Sequence, residues 1–192
     1  GVPLLGTIYG NLMEWLETLK NEDKIASWEA YPYDWRYDVF DVVDDGTIKE
    51  NGSREYLIET LEALAEDSFN GKVTIIGHSN GGLLAKALMI RLQEQGKEDL
   101  VDKVIFVGSP QVGTPQGMLG LLHGHQIVSP IIALNGTARA TATSMPGAYA
   151  LLPSREYFDA VSEPTATFQS GTATNPYINV LGETVDSFTE NA

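Results

Sequence analysis

The chain has 192 residues, a length that suits one domain of ordinary size. It carries 12 basic against 26 acidic residues, a formal charge of −14, and a surface this acidic repels nucleic-acid phosphates and lacks the basic patches that dock on anionic lipid. At 43% hydrophobic and 20% charged the composition excludes a disordered chain, and the absence of cysteine excludes disulfides and thiolate metal sites, leaving the redox compartment open.

No stretch reaches the roughly 18 apolar residues of a membrane helix; Gly117–Leu134 comes nearest but is broken by His123, His125, Gln126 and Pro130. The chain starts at Gly1 without Met or a signal peptide and ends on the polar run Asp186–Ala192. It is therefore expected to be a partial chain, and its localisation is left open.

In chain order, Tyr9–Lys20 places Leu12, Met13, Leu16 and Leu19 at helical spacing, with Asn11 as a start signal. Trp28–Tyr33 reads as a short strand stopped at Pro32, and the acidic Asp41–Gly52, with its Asp45-Gly46 and Asn51-Gly52 turn signals, as a surface loop. Ser53–Phe69 follows as a helix with Tyr56, Leu57, Leu61, Leu64 and Ala65 on one face, capped by Ser53 and ended by Asn70-Gly71. Lys72–Gly77, with its β-branched core Val73–Ile76, and then Val104–Val107 read as strands covered on both faces. Gly82–Gln95 is a helix between them, and the alternation marks an α/β chain.

After Ser109 the composition shifts. Residues 111–146 are rich in Gly, Pro, Ser and Thr but carry the apolar patches Met118–Leu122 and Ile127–Leu134, which predicts an inserted cap or lid. Its alternative is an ordinary buried subdomain. Ser144–Leu152 and Arg155–Val161 read as further short helices and Tyr177–Leu181 as a last strand.

Gly77-His78-Ser79-Asn80-Gly81 matches G-x-S-x-G, the nucleophile elbow of α/β-hydrolases, and it stands where that turn belongs, after an apolar strand and before a helix. Such a turn strains the serine backbone, so small neighbours are needed, and Gly77 and Gly81 supply them. Gly82 and Ala85 let the helix approach the sheet. Ser79 Oγ would then leave the strand at a helix N-terminus, where the Asn80 N–H can donate to an oxyanion. The plainer alternative is a Gly-rich turn with a bystander serine.

Around this motif the chain resembles the lecithin:cholesterol acyltransferase-like α/β-hydrolases. Ala30-Tyr31-Pro32-Tyr33-Asp34-Trp35-Arg36 is similar to their (A)PYDWR segment, Lys72–Leu88 to their elbow, Gly108–Thr114 to their "sP..GTp" loop and Pro146–Tyr157 to their "PS.y.LLP...Y" segment. Asn80 departs from the bulkier apolar residue usual there, which should alter a pocket wall and spare the backbone donor. The resemblance implies an α/β-hydrolase fold, a mostly parallel sheet with helices on both faces. It also implies an acyl-serine mechanism on a lipid ester, ending in hydrolysis or transfer to an alcohol, with no cofactor. Asp34, Trp35 and His78 become candidate substrate contacts, with a bracing, ion-paired corner the equal alternative for Tyr33–Arg36.

A serine nucleophile needs a histidine and a carboxylate, which in this fold follow it in the chain. Of the three histidines, His78 lies inside the elbow, where its side chain should point away from Ser79, and His123 and His125 lie in the cap. The His123-Gly124-His125 spacing lacks nearby Cys or acidic partners, so no metal site is expected. Asp159 and Asp186 follow no convincing strand. The base and its acid are expected beyond Ala192, and Val2, in the Gly1-Val2-Pro3 tail of an early loop, is a candidate second oxyanion donor. The chain then reads as 1–192 of a partial α/β-hydrolase domain, truncated at both ends, with a lipid or other ester as its partner and contact with a lipid interface open. A hydrolase of soluble esters or amides and a non-catalytic binding module on the same fold are the rivals.

Overall fold

A computed structural model describes residues 9–115, 117, 121, 140–141 and 143–162, together with the backbone of four short strands between 166 and 190. The chain divides into two compact units, Gly1–Ser109 and Pro110–Ala192.

In the first unit, α1 spans Gly10–Asn21 and begins one turn position before Asn11, with Tyr9 at its N-cap. Leu12, Leu16 and Leu19 are half-buried, Met13 is exposed, and no residue of the helix is fully buried. The Trp28 indole donates to Glu17 Oε2 at 3.0 Å, tying the following segment back to the helix.

Trp28–Tyr33 is not a strand: it runs without ladder partners, and Pro32 has no N–H to donate to one. Its aromatic residues are used differently, for Tyr31 and Tyr33 pack against the core and the Tyr31 hydroxyl donates to the Glu55 carbonyl at 2.9 Å.

The expected acidic loop is also different. Val39–Asp45 forms α2, with the Asp38 carboxylate accepting from the Phe40 N–H at 2.8 Å as its cap. Val39, Val42 and Val43 are buried at i, i+3, i+4 spacing, and the aspartates between them cover the outer side. Gly46, at φ 71°, ends the helix; a Cβ there would lie 2.3 Å from the Glu55 carbonyl oxygen. Thr47–Ile48 (β1) then pairs antiparallel with Arg54–Glu55 (β2). Ser53 belongs to the turn between them, its N–H bonded to Asn51 Oδ1, so it does not cap the next helix. That helix, α3, spans Leu57–Asp67 with Leu61 and Ala65 buried.

The centre of the unit is a parallel pair, β3 (Val73–His78) and β4 (Val101–Val107), joined through α4 (Asn80–Glu94). Ile75 is opposite Val104, Ile76 opposite Ile105 and His78 opposite Val107. Helix α4 contributes the deepest apolar side chains, Leu88 at 2% and Leu92 at 0% exposure, which join Val39, Val42, Val43, Leu61 and Leu84 in one core. Arg91 on the same helix binds Asp44 (Nε–Oδ1 2.8 Å) and Glu94 (2.9 Å) and lies over the Phe40 ring, bridging α2 and α4. Cover on both faces of the strands is not found among the described residues. Val73 and Ile75 pack on the core, while Ile76, Ile105 and Val107 on the other face, and Phe106 at the end of the core-side face, are 41–45% exposed.

In the second unit, the Thr114 N–H bonds the Leu151 carbonyl at 2.8 Å and the Ser154 N–H the Val112 carbonyl at 2.9 Å. Gly113, at φ 83°, is needed there, since a Cβ would lie 2.1 Å from the Leu152 carbonyl oxygen. The two expected short helices are Pro146–Tyr149 (α5) and Arg155–Ala160 (α6). Ala148 and Leu121 form a small core with Met145 and Leu152. Ala166–Gln169 (β5) pairs antiparallel with Ser187–Glu190 (β8). Tyr177–Ile178 (β6) pairs antiparallel with Thr184–Val185 (β7), so the expected last strand is followed by others. Most of the expected cap, including His123 and His125, lies outside the described residues.

Two measurements check this account. Leu88→Ala should lower the unfolding free energy by about 2–5 kcal/mol in urea titration, as deletion of a fully packed leucine does. Burial, reinforced by the Glu55 charge, pushes the Tyr31 phenol up from 10.0 to about 12. A raised folded-state value means stability that is complete below pH 10 and lost as pH climbs toward 12. Tyr31→Phe should flatten that loss in urea melts run across the interval.

Candidate active site

Ser79 sits between β3 and α4 with φ 52° and ψ −125°, and it is the N-cap of α4. Among the described residues only Asp23 shares a positive φ outside glycine. Such a conformation costs about 1–3 kcal/mol and persists only where its surroundings fix it. Two backbone bonds do so directly: the Ser79 N–H donates to the Val107 carbonyl at 2.9 Å, extending the β3–β4 ladder, and the Ser79 carbonyl accepts from the Gly82 N–H at 3.0 Å.

The glycines around it do different work. A Cβ on Gly77 would stand 2.7 Å from the Gly81 carbonyl oxygen and 2.8 Å from Gly82 Cα. One on Gly82 would stand 2.0 Å from Ser109 Oγ, and one on Gly81 would meet nothing within 4 Å. Space for a Cβ is therefore lacking at Gly77 and present at Gly81, while Gly82, as expected, permits the close approach of helix and sheet, a Cβ there also lying 3.1 Å from Phe106 Cδ1. Ser109, which the motif does not include, closes the cradle by donating from Oγ to the Gly77 carbonyl at 3.1 Å. Ala85 is 3% exposed, one turn further along the helix.

Ser79 itself is exposed. The Asn80 N–H opens the helix and so has no intrahelical acceptor, and among the described residues none is supplied by another group. It is free to donate outward, with the positive end of a 15-residue helix behind it. The Asn80 side chain is half-buried, with Oδ1 buried without a hydrogen-bond partner, so the amide nitrogen is the group that meets the Tyr33 hydroxyl. Burial raises the Tyr33 phenol, and this bond from Asn80 opposes the rise.

His78 is exposed, and its Nδ1 is 2.7 Å from the Tyr9 hydroxyl. The (A)PYDWR segment thus reaches the elbow through Tyr33. Asp34 is occupied by its own neighbour, for the Arg36 guanidinium forms a bidentate pair with it and holds its carboxyl below the usual range. Trp35 is 47% exposed. Among the described residues neither Asp34 nor Trp35 hydrogen-bonds Ser79, His78 or Asn80. Asp159 is an exposed residue of α6. Val2 and Asp186 lie outside the described residues. Sequence reasoning missed Tyr9 and Ser109 as neighbours of the elbow; Ser109-Pro110 at the end of a strand was a local signal for the second, and nothing local marked the first.

A strained serine carried from a parallel strand into a helix N-terminus has the geometry of the α/β-hydrolase elbow. The chain belongs to the lecithin:cholesterol acyltransferase family, whose model matches residues 4–192, and that membership implies an α/β-hydrolase fold. It is 31% identical over 121 residues to the phosphatidylcholine-sterol acyltransferases of Homo sapiens and of Papio anubis. The matched region is 60% of this chain and spans only about a quarter, 25%, of each relative's length. No solved structure matches it significantly.

The cradle makes a graded prediction for thermal unfolding. Gly82→Ala should destabilise by about 1–3 kcal/mol through overpacking, and Ser109→Gly in the same chain should recover most of that. Gly77→Ala, which meets backbone, should not be rescued by Ser109→Gly, and Gly81→Ala should leave the melting temperature close to that of the parent.

Proposed function

We propose that this chain carries the nucleophile-bearing part of a serine-dependent lipid ester hydrolase or acyltransferase. The observation that carries the reading is the positive-φ backbone of Ser79 at the junction of β3 with the N-terminus of α4. Family membership and the names of the two relatives, phosphatidylcholine-sterol acyltransferases, support an acyl ester as the substrate class.

In this reading Ser79 Oγ attacks the ester carbonyl carbon and gives its proton to a histidine base. The oxyanion that forms is met by the Asn80 N–H, with Val2 N–H as candidate second donor. The C–O bond to the leaving alcohol then breaks, the alcohol takes the proton, and an acyl-serine remains for water or a second alcohol to attack. No cofactor enters these steps. In this fold the acid and then the histidine follow the nucleophile in the chain, which His78 does not, so we place the base and its carboxylate beyond Ala192. Trp35 and Asp34 are proposed as substrate-side residues, Asp34 through the ion pair that fixes its loop. We further propose that 111–146 form a cap whose apolar patches, Met118–Leu122 and Ile127–Leu134, receive acyl chains or rest on a lipid interface.

The test is labelling of the complete gene product with a fluorophosphonate, in which Ser79 Oγ displaces fluoride from phosphorus. Ser79→Ala should abolish labelling and lower kcat on esters by roughly 10⁴-fold or more. Labelling that survives in this variant refutes the assignment. Turnover of dispersed short-chain esters that does not increase on micellar substrates points to a soluble ester instead of a lipid.

A further inference from the structure

The residues on either side of Ser79 are both held by tyrosines that lie far away in the chain. His78 Nδ1 and the Tyr9 hydroxyl are 2.7 Å apart across a separation of 69 residues, and their rings meet edge-on, with centroids 5.6 Å apart and planes inclined by 73°. Asn80 is met in turn by Tyr33, whose phenol also feels Tyr9.

His78 is the last residue of β3, opposite Val107, and by strand alternation its side chain leaves on the same face as Ile76. Tyr9 is the N-cap of α1, so the hydrogen bond fastens the start of that helix to the end of the strand. Only one ring nitrogen is used; among the described residues Nε2 has no partner. With Nδ1 engaged and the ring against a second ring, rotation of the His78 side chain is restricted, and with it the backbone that leads directly into Ser79. We propose that Tyr9 is a positioning residue for the nucleophile: by holding the His78 ring it fixes the strand end from which Ser79 Oγ projects. This inference rests on the reading of Ser79 as the nucleophile.

The experiment measures the rate of fluorophosphonate labelling and the steady-state hydrolysis of an ester by the complete gene product. Tyr9→Phe keeps the ring contact and deletes only the hydroxyl. It should slow labelling by roughly 3–10-fold, the kinetic equivalent of one ordinary hydrogen bond, lowering kcat while KM and the melting temperature stay near the parent values. His78→Ala should slow labelling to a similar degree, and Tyr9→Phe added to it should have no further effect. His78→Asn, whose amide oxygen can stand near the place of Nδ1, should retain most of the rate, whereas His78→Gln, which mimics Nε2, should not. The two amide variants decide the matter even where Tyr9→Phe folds poorly. An unchanged rate in a folded Tyr9→Phe, multiplying factors in the double variant, or rescue by Gln in place of Asn each overturns the proposal. Labelling that persists in Ser79→Ala refutes the nucleophile reading itself; loss of labelling there with an inert Tyr9→Phe removes the positioning role alone.

Discussion

A serine at φ 52° and ψ −125° relaxes to ordinary backbone geometry unless relaxation breaks something more valuable. In this chain it would break the Ser79–Val107 ladder bond at the end of β3, pull Gly77 away from the backbone of Gly81 and Gly82, and open the contact between Gly82 and Ser109. The glycine contacts are short range and steric, so the turn is fixed by a lack of room as much as by the attraction of the ladder bond. That explains the residue types: the positions with no space for a Cβ are Gly77 and Gly82, and the group filling the space beside Gly82 is the Ser109 side chain.

The same helix that presents the elbow also fills the core. Helix α4 begins at Asn80 in the candidate site and ends near Leu92, which is completely buried. Arg91, between Asp44, Glu94 and the Phe40 ring, fastens its far end to α2. Burial of Leu84, Leu88 and Leu92 therefore sets the angle at which the first turn of the helix meets β3. Packing of the core and geometry of the site are one problem here, joined by a rigid rod of 15 residues.

The centre of the first unit was legible in the sequence because its signals are local and mutually consistent. A β-branched run, a G-x-S-x-G turn and a helical pattern lie in direct succession between Val73 and Leu92. Elsewhere local signals misled. The acidic Asp41–Gly52 suggests a loop, yet Val39, Val42 and Val43 repeat at helical spacing and bury themselves against α4. Aromatic content makes Trp28–Tyr33 look like a strand, but Tyr31 and Tyr33 act as packing and hydrogen-bonding plugs in an unpaired segment. Gly81, expected to be needed beside the serine, has open space for a Cβ, a fact that depends on what it faces across the fold. The Tyr9–His78 bond had no local trace, since nothing within either neighbourhood specifies a partner 69 residues away.

The half-open strand pair gives the acidic charge another meaning. Among the described residues Ile76, Ile105 and Val107 leave a strip of apolar sheet uncovered, and β3 and β4 pair only with each other. Surfaces of that kind invite one molecule to add to the next. A formal charge of −14 opposes such encounters between like-charged copies over distances of about a Debye length. The acidity first noticed as a bar to nucleic acid is, for this piece of sheet, colloidal protection that weakens as ionic strength rises.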